Sequence, residues 1–211
     1  MPHVELNHDD QPIRLFKSDF LEFFTHISPI AILVIWIPIV VVCLWFGSLH
    51  PESSWIVMIF GFLLGLFIWT LSEYILHRFV FHFKPKNHWQ ERLAFLFHGV
   101  HHAQPKVKTR LVMPPALSIP LALLFFGLFY LVFSVIFSAG QWMYPAFAGF
   151  LVGYLIYDIM HYATHHFPMR NGIWKQLKRL HMQHHYKYPN QLFGVSSPVW
   201  DYVFLTIPKE K

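Results

Sequence analysis

The chain has 211 residues, of which 55% are hydrophobic, 19% aromatic and only 13% charged, with a formal net charge of +5, where about 25% charged is usual for a soluble domain. That balance argues against a soluble globular protein and for a membrane protein of one domain, residues 1–211. The basic residues sit in loops between apolar runs rather than in a stripe, which argues against a nucleic-acid partner, and the single Cys43 excludes a disulfide framework or cysteine-ligated zinc.

Residues 1–10 are polar and acidic, with no cationic segment leading into a short apolar one, so no cleaved signal peptide is expected. Pro12 to Phe24 mixes Leu15, Phe16, Phe20, Phe23 and Phe24 with Arg14, Lys17, Asp19 and Glu22, a spacing that predicts an amphipathic helix at the bilayer surface or a packed surface helix. Ser28 and Pro29 then supply an N-cap and a first-turn proline.

A hydrocarbon core of about 30 Å needs roughly 20 apolar residues as helix. Four runs qualify, at about 29–47, 55–77, 116–138 and 143–165, with Pro38 and Pro120 expected to kink their helices rather than end them. The fold class expected is therefore all-α and integral to the membrane, four transmembrane helices in two hairpins with a helical cap. Of the sixteen Lys and Arg, two precede the first run, seven lie in 78–115 and seven in 166–211, with none in the two short connections. By the positive-inside rule both termini and the histidine segments 77–115 and 161–205 face the cytosol. The order hairpin, histidine segment, hairpin, histidine segment is a weak internal repeat. Ile173 to His185 predicts a cap helix with Ile173, Leu177 and Leu180 on one face.

Ten of the sixteen histidines form four clusters behind the second and fourth runs: His77 and His82; His98, His101 and His102; His161 and His165; His181, His184 and His185. On a helix, residues four apart share a face, so His161/His165, His98/His102 and His181/His185 can each chelate one ion. His101 and His184 point about 60–100° away and more easily reach a second ion. The spacing thus suggests two ions with crossed ligation. His77, His82, His98, His102 and His184 take one, and His101, His161, His165, His181 and His185 the other. Imidazole suits iron, zinc, copper and nickel. Glu73, one turn before His77, and Asp158, three residues before His161, are placed to accept a ring N–H. His3, His8, His26, His50 and His88 read as isolated surface residues, and His166 as a non-ligand.

At these residues the sequence resembles the fatty acid hydroxylase superfamily, which includes sterol desaturase-like enzymes, and most closely the catalytic domain of fatty acid 2-hydroxylases. The resemblance lies in PIRLFKSDFLEFF, SEYILHRFVFHFKP, HGVHH with RLVMPP, YDIMHYATH, LHMQHH and FGVSSPVWDYVF, together spanning about residues 12–205. It implies a membrane monooxygenase with two metal ions, iron when active and zinc possible in a purified sample. Such an enzyme uses O2 to hydroxylate C2 of a fatty acyl chain among membrane lipids. Tyr157 and Tyr162, with Asp158, would line or support that site. Eukaryotic members often carry a cytochrome b5 domain; here His50-Pro51 is followed by Glu52, not glycines. Electrons are therefore expected from a separate donor of cytochrome b5 or ferredoxin type. Lys175, Lys178 and Arg179 offer either a dock for it or positive-inside anchors. The compact form suggests a bacterial inner membrane, or the endoplasmic reticulum in a eukaryote. The ligands alone leave open a hydroxylase or desaturase of another lipid, a sterol or carotenoid. A metal transporter fits less well, because transporters hold such ligands near the bilayer midplane.

Overall fold

The computed structural model describes residues 11–209, all helix and loop with no strand among them; His3 and His8 lie outside that range. After a short helix α1 (Asp19–Phe23), four helical stretches are long and apolar enough to cross a membrane. The first, α2 (Pro29–Ser48), starts where Ser28 Oγ accepts the Ala31 amide at 3.1 Å, and it continues through Pro38. Ser54 caps α3 (Trp55–Ile75), which runs on as a π-helical turn from Leu76 to Phe81. Next come α4 (His88–Ala94), a second π-helical turn (Phe95–Gly99) and α5 (Val100–Ala103). The third span is α6 (Pro115–Phe129) with a π-helical end to Ile136, and it too runs through its internal Pro120. The fourth is α7 (Met143–His166), followed by the cap helix α8 (Gly172–Tyr186) and a short α9 (Val199–Val203).

α7 is the axis of the bundle. Of its apolar stretch 78% is buried within the protein, against 6% for the third span, so α2, α3 and α6 pack round it and turn their outer faces away. Lipid chains are as apolar as leucine, so packing depends on how closely backbones approach. Gly61 and Gly65 on α3 meet α7, and Gly149 and Gly153 on α7 meet α3. A Cβ on Gly65 would lie 1.8 Å from the Ala146 carbonyl oxygen, and one on Gly149 would lie 1.9 Å from that of Phe62. These two reciprocal GxxxG pairs form the seam that holds the second span against the fourth.

The N-terminal helix is shorter than the sequence pattern predicts. Residues 11–17 are not helical, and three of their backbone amides donate to side chains instead. Ile13 donates to Gln104 Oε1 at 2.9 Å, and Leu15 and Phe16 donate to Glu22 Oε2 at 2.9 and 2.8 Å. The cap helix forms as expected and buries Leu177 and Leu180, but Ile173 is left uncovered in its first turn.

Overpacking a well-filled core costs about 1–3 kcal/mol, and a side chain driven into a carbonyl has no rotamer that relieves it. Gly149→Val is therefore expected to lower the thermal midpoint in detergent sharply or abolish folded protein. Gly127→Ala is expected to leave it unchanged, because nothing lies within 4 Å of a Cβ there. Equal midpoints for the two variants would contradict the seam.

Candidate metal centre

The ten clustered histidines converge at one end of the bundle. They form two groups whose ring nitrogens lie within 4.8 Å of one another: His77, His82, His98, His102 and His184, and His101, His161, His165, His181 and His185. The membership matches the crossed division expected from helical spacing. His161 and His165 stand one turn apart on α7, and His181 and His185 one turn apart on α8. His101 and His184 each leave their own helix's pair to join the other group. The groups abut, His102 stacking on His185 with centroids 4.2 Å apart.

His77 and His82 are five residues apart, which on an α-helix would turn them to different faces. The π-helical turn solves this. Its hydrogen bonds run from residue i to i+5, His82 N–H donates to the His77 carbonyl at 3.1 Å, and the two rings come to 4.9 Å. A second such turn carries His98.

Six Nε2 pairs lie at 2.8–3.1 Å: His77/His98, His82/His184, His101/His161, His101/His185, His165/His181 and His181/His185. All six fall within a group. At a metal–nitrogen distance of about 2.1 Å, ligands at right angles sit about 3.0 Å apart and opposed ones about 4.2 Å. The donor set thus fits a cation at each focus with octahedral-like spacing, and each group can hold one metal ion. The protonation state fits as well. Burial pulls His98, His101, His102, His181 and His185 well below the ordinary imidazole value, with neighbouring histidines adding to it. Burial likewise brings His184 down to about 4, against the opposing pull of the Gln191 carbonyl. These rings are neutral near pH 7, the form that ligates.

The ring protons are placed by backbone carbonyls. His77 Nδ1–H donates to the Phe193 carbonyl at 2.5 Å and His184 Nδ1–H to that of Gln191 at 2.7 Å, which leaves each Nε2 lone pair pointing inward. This differs from the direct ring contact expected of the carboxylates. Glu73 instead accepts from the amides of Val195 and Ser196 at 2.7 and 2.8 Å and from the Ser196 hydroxyl. Asp158 accepts from the Met113 amide at 3.2 Å. Peptide N–H groups of the loops that wrap the site compete for these carboxylates, and they win because they have no other partner. Asp201, which sequence reasoning missed, completes the arrangement. It is 1% exposed and accepts from the Phe193 and Gly194 amides at 2.8 and 2.7 Å and from the Thr206 hydroxyl at 2.7 Å. Glu73 and Asp201 therefore clamp the loop 193–196, whose Phe193 carbonyl orients His77. The signal was present in the WDY of the last motif.

Tyr157 stacks on His161 at 5.7 Å, beside the groups. Tyr162 instead packs on His166 at 4.8 Å, and His166 belongs to neither group. His88 is exposed beside Glu91, and His50 is half-buried in the short connection after α2. His26 departs from the surface reading: it bonds Thr109 Oγ1 at 2.8 Å and lies 3.0 Å from Arg110 Nη2. Lys178 Nζ donates to the Phe167 carbonyl at 2.8 Å.

A cavity of about 320 Å³ opens beside the groups. Its walls are mostly apolar, including Phe81, Leu96, Phe97, Val112, Met113 and Leu117, and it reaches His98 of one group and His101 and His161 of the other.

Residues 62–206 match the fatty acid hydroxylase family. A dihydroceramide fatty acyl 2-hydroxylase of Arabidopsis thaliana is 39% identical over 94% of this chain and 81% of its own length. The chain belongs to the fatty acid hydroxylase family. Another family member, the fatty acid 2-hydroxylase of Mus musculus, is 37% identical over 95% of this chain, which spans 58% of that longer protein. Among solved structures, the visible hydroxylase domain of full-length scs7p superposes with a TM-score of 0.82 at 37% identity, covering 92% of this chain and 72% of that one.

Metal analysis of the purified hydroxylase is expected to give two ions per chain, and about one after the double change His161→Ala with His165→Ala. Asp201→Asn weakens the clamp behind His77, so metal affinity read by competition with a chelator should fall by about 10–100-fold, the range seen when ligand-orienting groups are removed. Unchanged metal content in the double variant would remove that group as a site.

Proposed function

We propose that this family member is an O2-dependent monooxygenase that hydroxylates C2 of a fatty acyl chain at a pair of metal ions, iron in the active form. The single observation that carries the reading is the placement of the cavity. A mostly apolar cavity lined by His98, His101 and His161, drawn from both groups, suits a saturated chain whose reacting carbon must sit between two metal positions. The names of the relatives, fatty acid and dihydroceramide fatty acyl 2-hydroxylases, support C2 as that carbon.

When bound, the metal pair would supply the redox chemistry that activates O2. One oxygen atom enters the C–H bond and the other leaves as water, which takes two electrons and two protons from a separate donor. The chain's own residues provide the rest. Ten imidazoles act as ligands, so none is needed as a general base. The Phe193 and Gln191 carbonyls hold the ring protons of His77 and His184 outward and keep the inward nitrogens free. Phe81, Met113 and Leu117 exclude water and bear on the methylenes, and Tyr157 and Asp158 border the cavity beside His161. The distribution of Lys and Arg favours a cytosolic location for the histidine groups and both termini. A donor would then reach them from that side, where Lys175 and Arg179 are exposed on α8.

Lipid analysis of cells expressing the chain is expected to show 2-hydroxy acyl chains that disappear with His161→Ala. A product identified as an alkene or a hydroxysterol would sink the proposal.

A further inference from the structure

Residues 11–27 cross the histidine-bearing end before α2 begins, fastened there by side chains. Gln104, 1% exposed and two residues after His102, accepts from the Ile13 amide and donates to the Gln11 carbonyl, both at 2.9 Å. Arg110 is 8% exposed; its Nη1 donates to the Ile13 carbonyl at 2.6 Å and its Nη2 to Glu22 Oε1 at 2.5 Å. The other Glu22 oxygen holds the Leu15 and Phe16 amides. At the far end the Ile27 amide donates to the Thr109 carbonyl at 2.9 Å. Between these fastenings, Leu15, Phe16, Leu21 and Phe24 line the same cavity as His98, His101 and His161.

Two observations give this strap a role beyond covering the core. Its apolar side chains face open space: Leu15 and Phe16 are half-buried, and Leu21 and Phe24 remain 48% and 40% exposed while lining the cavity. Its fastening is a largely buried ion pair, Arg110 and Glu22, with side chains 3% and 16% exposed. Such a pair is a poor way to gain stability, because desolvation offsets much of the attraction, but it fixes geometry. The geometry it fixes is that of the wall.

We propose that the strap is the acyl-selectivity element of the site, with Leu15 and Phe16 bearing on the substrate chain and Arg110 and Glu22 acting as a positioning pair. The inference rests on the acyl-hydroxylase reading given above.

The test uses the full chain expressed in cells fed an equal mixture of a short and a long saturated fatty acid. It reads the ratio of the two 2-hydroxy products and the metal content of the purified protein. Phe16→Ala enlarges the cavity and is expected to move the ratio toward the long chain. Phe16→Trp is expected to move it toward the short one. Each shift should be about tenfold, the lower end of what a methylene-sized change in an apolar pocket gives. Glu22→Gln and Arg110→Lys release the wall, so the preference should flatten while two metals per chain are retained. An unchanged ratio in both Phe16 variants would overturn the inference even if the clasp variants fail to fold. So would clasp variants whose product falls in step with their metal content at an unaltered ratio. Absence of any 2-hydroxy product from the wild type, with another product in its place, would defeat the acyl-hydroxylase reading, and the inference with it.

Discussion

Ten imidazoles, nine of them buried and nine meeting a neighbour Nε2 to Nε2 at 2.8–3.1 Å, are not a stable arrangement on their own. Two facing lone pairs repel, and in a site shielded from water nothing screens them. A cation held at the focus of each group would convert that repulsion into ligation. The rest of the histidine-bearing end can be read as the means of holding ten rings in that pose. Each ring needs its inward nitrogen free of a proton, so an acceptor on its outward nitrogen is valuable. The Phe193 and Gln191 carbonyls provide one for His77 and His184.

The choice of a carbonyl over a carboxylate as that acceptor has consequences. A carboxylate behind an imidazole raises its basicity and tightens the metal; a carbonyl does so less. Here Glu73 and Asp201 act at one remove, on the peptide groups of the loop that carries the Phe193 carbonyl. Their position also answers the cost of burying two carboxylates. Each accepts three hydrogen bonds, two from backbone amides that would otherwise be unsatisfied inside the protein and one from a hydroxyl. The rigid loop is thus tied at both ends, to α3 by Glu73 and to α9 by Asp201.

Much of this was legible in the sequence because it depends on local periodicity. The four spans follow from runs of apolar residues, and the pairs His161/His165 and His181/His185 follow from the helical repeat. The crossing of His101 and His184 to the opposite group follows from the same geometry. What was not legible depends on departures from that repeat or on distant partners. The π-helical turn that aligns His77 with His82 shows in the sequence only as a five-residue spacing with no place on an α-helix. Pro12 to Phe24 has helical spacing, but the amides of Ile13, Leu15 and Phe16 in the strap bond Gln104 and Glu22 instead. Glu73 and Asp158 sit one turn from histidines along the chain, yet the amides they serve belong to Val195, Ser196 and Met113, far away in sequence. His26 looked isolated because its partners, Thr109 and Arg110, are also remote.

The crossed grouping ties the centre to the membrane bundle beneath it. Because α5 and α8 each send histidines to both groups, neither group can form from one half of the chain, and assembling one positions the other. The remaining freedom is the placement of α3, which runs on into the π-helical turn that bears His77, relative to α7, which carries His161 and His165. That placement is set deep in the bundle, where Gly65 lies on the Ala146 carbonyl and Gly149 on that of Phe62. Backbones in van der Waals contact cannot slide closer, and with no side chain between them they have little reason to part. Four glycines remote from any ligand therefore set the relation between the two groups of imidazoles. A substitution on the seam would push the two helices apart and so displace the ring nitrogens of one histidine group relative to the other.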